Sequence, residues 1–393
     1  MASPLARRLA GIVDGEYAPP MSSRFVCPRC TGPLAAAGSR DHRCAACGVD
    51  YPTLQGSAIL VPAPWPHLAA ACVQAEWLCQ ALGTQLAVAD ELAAKAGYRA
   101  PVARRVAEGV RANLALVRRQ QQSIIDRLDV RALLDYVVPS VGGPSPLAAG
   151  FANDRYSFSA VDQYEYARTD WSGTPEGEEQ IRITEEAVFE LIDRHCPERA
   201  SAVVLGAGAG RVLFDLTSRF EQVLGIDSNY RYVDFFHRLA EGPIRFAQVN
   251  VRLPVSDETV VTHFTAALPA DAGERLSRIG YAVADAKALP IATGSQSAVV
   301  CVFFADVIPL HFLLKEASRV LKPGGKLVNF GSLSYCFSDS IGHLTPGEAE
   351  HVIRSFGFRV EEQRTSEMWF HDFRDVGGRR AFRIWSYALT KEA

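Results

Sequence analysis

The apolar positions change their spacing twice along the chain. A short apolar run, Ala-Ile-Leu-Val at 58–61, precedes Pro62-Ala-Pro-Trp-Pro66, which reads as a non-helical boundary. From 68 to 138 apolar residues recur at helical spacing: Leu78, Leu82 and Leu86, then Val106, Val110, Leu114 and Val117. That pattern predicts two or three helices, broken near Gly97 to Pro101. The segment Pro139-Ser-Val-Gly-Gly-Pro-Ser-Pro146 then reads as a linker.

Beyond the linker, strand and helix patterns alternate. Strands are expected at 202–205, 222–226, 281–284, 297–304, 326–330 and 382–389. Helices are expected at 211–219, 310–320 and 346–356, and the stretch 243–280, punctuated by Pro254, Pro269 and Gly273, reads as irregular. Alternation of this kind predicts an α/β fold with a mostly parallel sheet covered on both faces. Four segments emerge: a tail over 1–20, a cysteine-bearing unit over 21–64, a helical segment over 65–146, and an α/β domain over 147–393.

Composition narrows the function classes. With 393 residues, 48% hydrophobic and 22% charged, the chain is an ordinary globular protein with ample core. Its 41 Lys+Arg against 44 Asp+Glu leave a net charge of −3, unlike a nucleic-acid coat or a polybasic membrane binder. No run approaches the ~20 apolar residues that cross a bilayer, and the first twenty residues lack the unbroken apolar core of a signal peptide. Nine cysteines, four of them in two CxxC pairs, point to metal ligation in a reducing cytoplasm. Cys27-Pro-Arg-Cys30, thirteen residues, then Cys44-Ala-Ala-Cys47 is zinc-ribbon spacing, and four thiolates close a tetrahedral Zn²⁺ site of structural type.

The α/β domain carries the candidate chemistry. Gly206, Gly208 and Gly210 follow the first strand as GxGxG, which suits close approach of a ligand to the backbone and differs from the GxGxxG dinucleotide pattern. Asp227, ending the second strand, can accept from both ribose hydroxyls of an adenosine ligand, and Asp285, after the third, can accept from an adenine amino group. With Arg-Val-Leu-Lys-Pro-Gly-Gly before a later strand, this ordered set resembles the class I S-adenosylmethionine-dependent methyltransferases. That resemblance implies a Rossmann-like, mostly parallel seven-stranded sheet and S-adenosylmethionine as cofactor.

Three segments sharpen it. Arg168-Thr-Asp-Trp-Ser172, Gly206-Ala-Gly-Ala-Gly-Arg211, and Cys301-Val-Phe-Phe-Ala-Asp306 with Leu321-Lys-Pro-Gly-Gly325 and Asn329-Phe-Gly-Ser-Leu-Ser-Tyr335 resemble the carnosine N-methyltransferase family. The resemblance implies that Asp306 faces the substrate while Arg168, Gly206, Gly208, Arg211, Asp227 and Asp285 surround the cofactor. Gly210, Ala286 and Phe304 complete the candidate cofactor set, and Tyr335 and His371 join Asp306 as candidates for the reaction. Cys336 stands where that family has histidine, and Arg380-Ala-Phe382 where it has tyrosines. The expected acceptor is therefore a small molecule or peptide bearing an imidazole or another nitrogen nucleophile, rather than carnosine itself.

Two other readings compete. Residues 99–131 hold eight arginines against three carboxylates, a net of +5, and a zinc ribbon with basic helices could serve an rRNA or tRNA methyltransferase. The expected role of those arginines is instead a solvated helix face, with nucleic acid disfavoured. The other competitors are a natural-product N- or O-methyltransferase and a non-catalytic scaffold. The sequence itself yields no oligomeric state.

Overall fold

The computed structural model describes residues 25–37, 41–95, 97–129, 162–250, 254–337 and 340–392. The tail at 1–20 and the linker at 139–146 lie outside them. Three short strands open the described chain: β1 (Leu34–Ala37), β2 (Asp41–Cys44) and β3 (Asp50–Tyr51), paired antiparallel in that order. Next come β4 (Thr53–Leu54), β5 (Ser57–Leu60), and the helices α1 (Pro64–Ala94) and α2 (Ala100–Ile125). Helix α1 begins inside the segment expected to be non-helical. Pro64 and Pro66 sit in its first turn, where the backbone N–H has no helical acceptor and a proline removes nothing.

The α/β part runs α3 (Asp162–Trp171), α4 (Pro175–His195), β6 (Ala202–Leu205), α5 (Arg211–Asp215), β7 (Val223–Asp227), α6 (Tyr230–Glu241), β8 (Ile244–Val249), β9 (Val261–Ala266), α7 (Ala272–Leu276), β10 (Ile279–Ala284), β11 (Gln296–Val302), α8 (Leu310–Val320), β12 (Leu321–Ser332), α9 (Pro346–Ser355), β13 (Phe358–Phe370) and β14 (Arg380–Lys391). One sheet has the order β13-β14-β12-β11-β6-β7-β10-β5-β4. Strands β12, β11, β6, β7, β10 and β5 pair in parallel, whereas β14 runs antiparallel between β12 and β13. Seven of these strands make the expected sheet. The other two, β4 and β5, come from the cysteine-bearing unit and extend it to nine.

Period-two alternation fills both faces. Ala202, Val204 and Val300 face a core with Leu68, Leu191, Phe214 and Val233, under α1, α4, α5 and α6. Val203, Leu205 and Val299 face the other, with Leu313, Ala317 and Ile353 of α8 and α9. Phe25, Cys27, Cys44 and Tyr51 belong to that second core, and Val26 donates its N–H to the Pro290 carbonyl at 2.9 Å, so the cysteine unit packs directly on the sheet.

Three expectations are corrected. The stretch expected to be irregular holds the β8–β9 ribbon, at 244–249 and 261–266, whose alternation Pro254 and Pro269 obscured. Strand β13, which the apolar pattern does not predict, forms the sheet's edge beside β14. The helix expected over 211–219 ends at Asp215 and tightens into a 3₁₀ turn, Leu216–Ser218.

The β8–β9 ribbon packs on α1 and α2 as a third apolar cluster. A two-stranded ribbon leaves its edge groups open. Asn113 of α2 closes one: its Nδ2 donates to the Ala247 carbonyl at 2.6 Å, and its Oδ1 accepts the Ala247 N–H at 2.9 Å. Asn113→Ala strands both backbone groups in an apolar contact. It is expected to lower unfolding stability by about 2–4 kcal/mol in a urea titration.

Candidate functional site

The parallel strands end at one edge, and the candidate residues gather there. Gly206, Gly208 and Gly210 all take positive φ, at 65°, 55° and 92°, so the loop after β6 is a conformation that glycine adopts at least cost. A Cβ on Gly206 would lie 2.3 Å from Phe304 Cδ2, and one on Gly210 equally close to Phe236 Cδ2. At Gly208 the nearest neighbour would be the Gly206 carbonyl at 3.9 Å, so the middle of the loop is open to a ligand.

Asp227 holds this loop. Its Oδ2 accepts the Gly208 N–H at 3.0 Å and its Oδ1 the Asn229 N–H at 2.8 Å. Burial pushes the carboxyl up to about 6 despite those two bonds. Each oxygen keeps a further lone pair, which fits the two hydroxyls of a ribose. On the neighbouring strand Asp285 accepts the Lys287 N–H at 2.8 Å and stays partly exposed, beside the buried Ala286. These donors and acceptors, with the open cradle at Gly208, fit an adenosyl ligand.

The segment around residue 170 braces the loop from outside. Trp171 Nε1 donates to the Ala209 carbonyl at 2.8 Å, Arg211 Nη1 to the Asp170 carbonyl at 2.9 Å, and Tyr281 Oη to the Gly208 carbonyl at 2.7 Å. Burial pushes the Asp170 carboxyl up to about 7. Arg211 is tied further by Asp215 at 2.5 Å. Arg168 is placed differently from the other cofactor candidates. Its side chain, 4% exposed, pairs with Asp375 at 2.7 Å, donates to Gln248, and lies between the rings of Phe264 and Phe373, 4.4 and 3.8 Å from their centroids. Those contacts join β8, β9 and the segment after β13 rather than the glycine loop.

Asp306 points inward. It is 6% exposed, accepts the Ser332 hydroxyl at 3.0 Å, and does not cap α8, whose N-cap is Pro309. Burial raises its carboxyl to about 6. The main chain ties the neighbouring loop to it, since the Cys336 N–H donates to the Asp306 carbonyl at 2.9 Å. Tyr335 stacks on His343 with ring centroids 5.0 Å apart and gives its hydroxyl to the Leu344 carbonyl at 2.7 Å, so it offers a ring wall. Ser332 also borders an open cavity of about 580 Å³ shared with Ser334, Gln363, Thr365, Arg383 and Trp385.

His371 lies in an aromatic cluster beside Arg168. Its Nδ1 meets the Thr169 hydroxyl at 2.8 Å and its N–H donates to Gln180 at 2.7 Å. The buried Nε2 has no hydrogen-bond partner among the described residues. Burial, then Arg380 and Arg168, push the imidazole down to about 3, so it is neutral at physiological pH. Tyr166 meets the ring edge-on at 4.9 Å, and Phe370 links the cluster to Phe303 at 4.8 Å. His371 and Phe303 both hold positive φ, 50° and 49°, a strained state for bulky side chains that collects at functional sites. Gly331 leaves room for the Phe303 backbone: a Cβ there would lie a tight 3.1 Å from the Phe303 Cα.

Cys27, Cys30, Cys44 and Cys47 converge, with all four sulfurs within 4.8 Å of one another. Cys30–Cys44 and Cys27–Cys47 are 3.4 and 3.6 Å apart, near the ~3.8 Å edge of a tetrahedron with Zn–S bonds of about 2.3 Å. Tyr51 Oη lies 2.9 Å from Cys27 Sγ, where its hydroxyl can donate to a thiolate and steady it.

Residues 261–329 match the family described as a methyltransferase domain, a span that holds Asp285, Ala286, Phe304 and Asp306. Over those residues the chain carries a methyltransferase domain. Its sheet has the class I methyltransferase topology. Solved structures similar to it include a Bacillus halodurans putative methyltransferase (14% identity, 53% of this chain, 100% of that one, TM-score 0.37) and a Methanosarcina mazei S-adenosylmethionine-dependent methyltransferase (17%, 51%, 97%, 0.36). Another is a Haloferax volcanii complex of the Trm112 methyltransferase activator with a putative methyltransferase (15%, 60%, 98%, 0.37). No curated protein matches by sequence.

Sequence reasoning passed over Asp170, Tyr281 and Tyr166 in this domain, whereas Phe303, with Phe304 and Tyr335, was expected as a ring wall or plain core. Asp170 stood inside a quoted segment and could have been singled out; Tyr281 and Tyr166 became neighbours only through the sheet. The buried carboxylate of Asp306 carries a testable cost. Its folded value near 6 against an unfolded value of about 3.9 means that ionisation destabilises the fold, little at pH 4 and by up to about 3 kcal/mol well above pH 6. Asp306→Asn should therefore melt higher than wild type at pH 8, the gap closing towards pH 4 in calorimetric scans.

Proposed function

We propose that the methyltransferase domain transfers a methyl group to a nitrogen of a small, histidine-derived molecule, with an imidazole as the acceptor ring. The observation that carries this reading is Asp306: a buried carboxylate at the carboxyl edge of the sheet, held by Ser332. S-adenosylmethionine supplies a methyl group on a positively charged sulfur; the chain's own side chains do the rest. Asp227 and Asp285 hold ribose and adenine, and the open backbone at Gly208 admits the ligand. Asp306, ionised above about pH 6, accepts the N–H of a neutral imidazole and so turns the other nitrogen's lone pair away from itself. The same carboxylate favours the positive charge that grows on the ring during transfer. Phe303, Phe304 and Tyr335 exclude water, and holding both reactants at about 3 Å in line accounts for most of the acceleration. The cavity beside Ser332 is the size of a small-molecule site, which suits the remainder of the acceptor.

An RNA substrate is less well supported. Arg105 donates to the Asp257 carbonyl, Arg111 pairs with Asp90 and Arg127 with Asp41, so three of the eight arginines in 99–131 are engaged within the chain. We further propose that the four cysteines hold a structural Zn²⁺, which replaces the core that a ~40-residue unit cannot build.

The decisive experiment incubates the protein with labelled S-adenosylmethionine and a panel of histidine, its dipeptides and its thiol derivatives, and locates the methyl by mass spectrometry. Methylation of an imidazole nitrogen is expected. Label found only in RNA or on oxygen overturns the acceptor assignment. Asp306→Asn should lower kcat by at least about a thousandfold while S-adenosylhomocysteine binds as to wild type. Elemental analysis should find one zinc per chain, and Cys44→Ser should lose it and lower the melting temperature.

A further inference from the structure

The cavity beside Ser332 is enclosed by β13, β14 and the chain leaving β12, and its charges are one-sided. Among the described residues that line it are two arginines, Arg364 and Arg383, and no carboxylate. Arg364 is already engaged, with its guanidinium 2.7 Å from Glu190. Arg383 is held far more loosely. Its ion pair is with Glu367, opposite it on β13, at 3.5 Å, and the two side chains are 76% and 74% exposed. A contact so long and so open to water is worth little.

Register fixes where that guanidinium stands. Strand β12 ends at Ser332 opposite Ile384, so Arg383 is the next residue of β14 beyond the last pair, at the carboxyl edge. Its backbone lies one strand spacing, about 4.8 Å, from the chain leaving Ser332. Positions 383 and 385 share a face of β14, and Trp385 belongs to the core under α8 and α9. Trp385 Nε1 donates to Gln363 Oε1 at 3.2 Å, which fixes ring and amide on the cavity wall. Glu348, two residues past the lining Pro346, is tied to Thr345 in a capping box. The Ser332 hydroxyl donates to Asp306, so the cavity and that carboxylate share a residue.

We infer that Arg383 is a specificity-determining residue that takes a carboxylate on the methyl acceptor, the planar two-oxygen group that a guanidinium fork matches. This rests on the acceptor reading above and narrows the substrate class: the imidazole meets Asp306, and the acid of an amino-acid or peptide tail meets Arg383. The two opposite charges also sort the acceptor by orientation. Asp306 repels an acid and Arg383 repels a cation, so the ring is the end presented to the cofactor.

The test compares acceptors that differ only by the acid, L-histidine against histamine and carnosine against its decarboxylated counterpart, in steady-state methylation by the full-length chain. Wild type is expected to show kcat/KM at least about tenfold higher for the acid of each pair, the size of one charge-assisted hydrogen bond. Arg383→Gln should remove that preference by raising KM for the acid, with kcat and the decarboxylated acceptor near wild type. Arg383→Lys, which keeps the charge and loses the fork, should reduce the preference without abolishing it. Wild-type binding of S-adenosylhomocysteine confirms that each variant is folded. Equal kcat/KM within each pair, or a preference that survives Arg383→Gln, overturns the inference. So does better methylation of histidinol phosphate than of either acid, which assigns the guanidinium to a phosphate. Methylation of no imidazole at all overturns the acceptor reading itself, which tells the two failures apart.

Discussion

The parallel register of β5, β10, β7, β6 and β11 is the constraint on which the site depends. Hydrogen bonding in a parallel sheet fixes the offset between neighbours, so Leu205, Asp227, Ala284 and Val302 end together. Each strand then releases a loop at one edge, and the loops carry the glycine turn, the two carboxylates and Asp306. A one-residue slip in any pair would move its carboxylate by a strand repeat and turn the core side chains to the wrong face. Both faces of these strands are core, so such a slip costs the fit of side chains against the helices rather than exposure of apolar surface.

The site is also where the fold accepts unfavourable electrostatics and backbone strain. Asp306 is buried and Asp170 and Asp227 are half-buried, and desolvation raises all three carboxyls. Asp227 is held by two N–H groups and Asp306 by one hydroxyl, fewer bonds than a buried carboxylate can accept. Positive φ at Phe303 and His371, and the Nε2 of His371 that has no partner among the described residues, occur in the same region. Groups left under-bonded in this way suit a pocket completed by ligands, and the rest of the core, two apolar faces packed on one sheet, supplies the stability that tolerates them.

Much of this was legible in the sequence. Strand β6 and helix α8 have the boundaries that alternation and helical spacing predict, because their buried faces are apolar, Glu316 of α8 excepted, and a glycine follows β6 while a proline precedes α8. The glycine loop, Asp227, Asp285 and the four cysteines were readable because short spacings there fix geometry within a single turn. What stayed hidden needed contacts far apart in the chain. Strand β13 mixes charged and apolar residues, since edge position leaves much of it exposed, and β8–β9 shows its alternation only when α2 supplies its buried side. Arg168 carried a motif resemblance, yet its partner Asp375 lies 207 residues away.

The sequence alone determined the class of fold, the order of the motifs and the identity of the carboxylates and thiols, because these depend on local spacing and periodicity. Only the tertiary structure decided that Asp306 turns inward to Ser332, that Arg168 is locked between two phenylalanines, and that the cysteine unit adds strands to the sheet. These outcomes depend on which surfaces bury one another, a competition among distant segments settled by packing and desolvation rather than by any local preference.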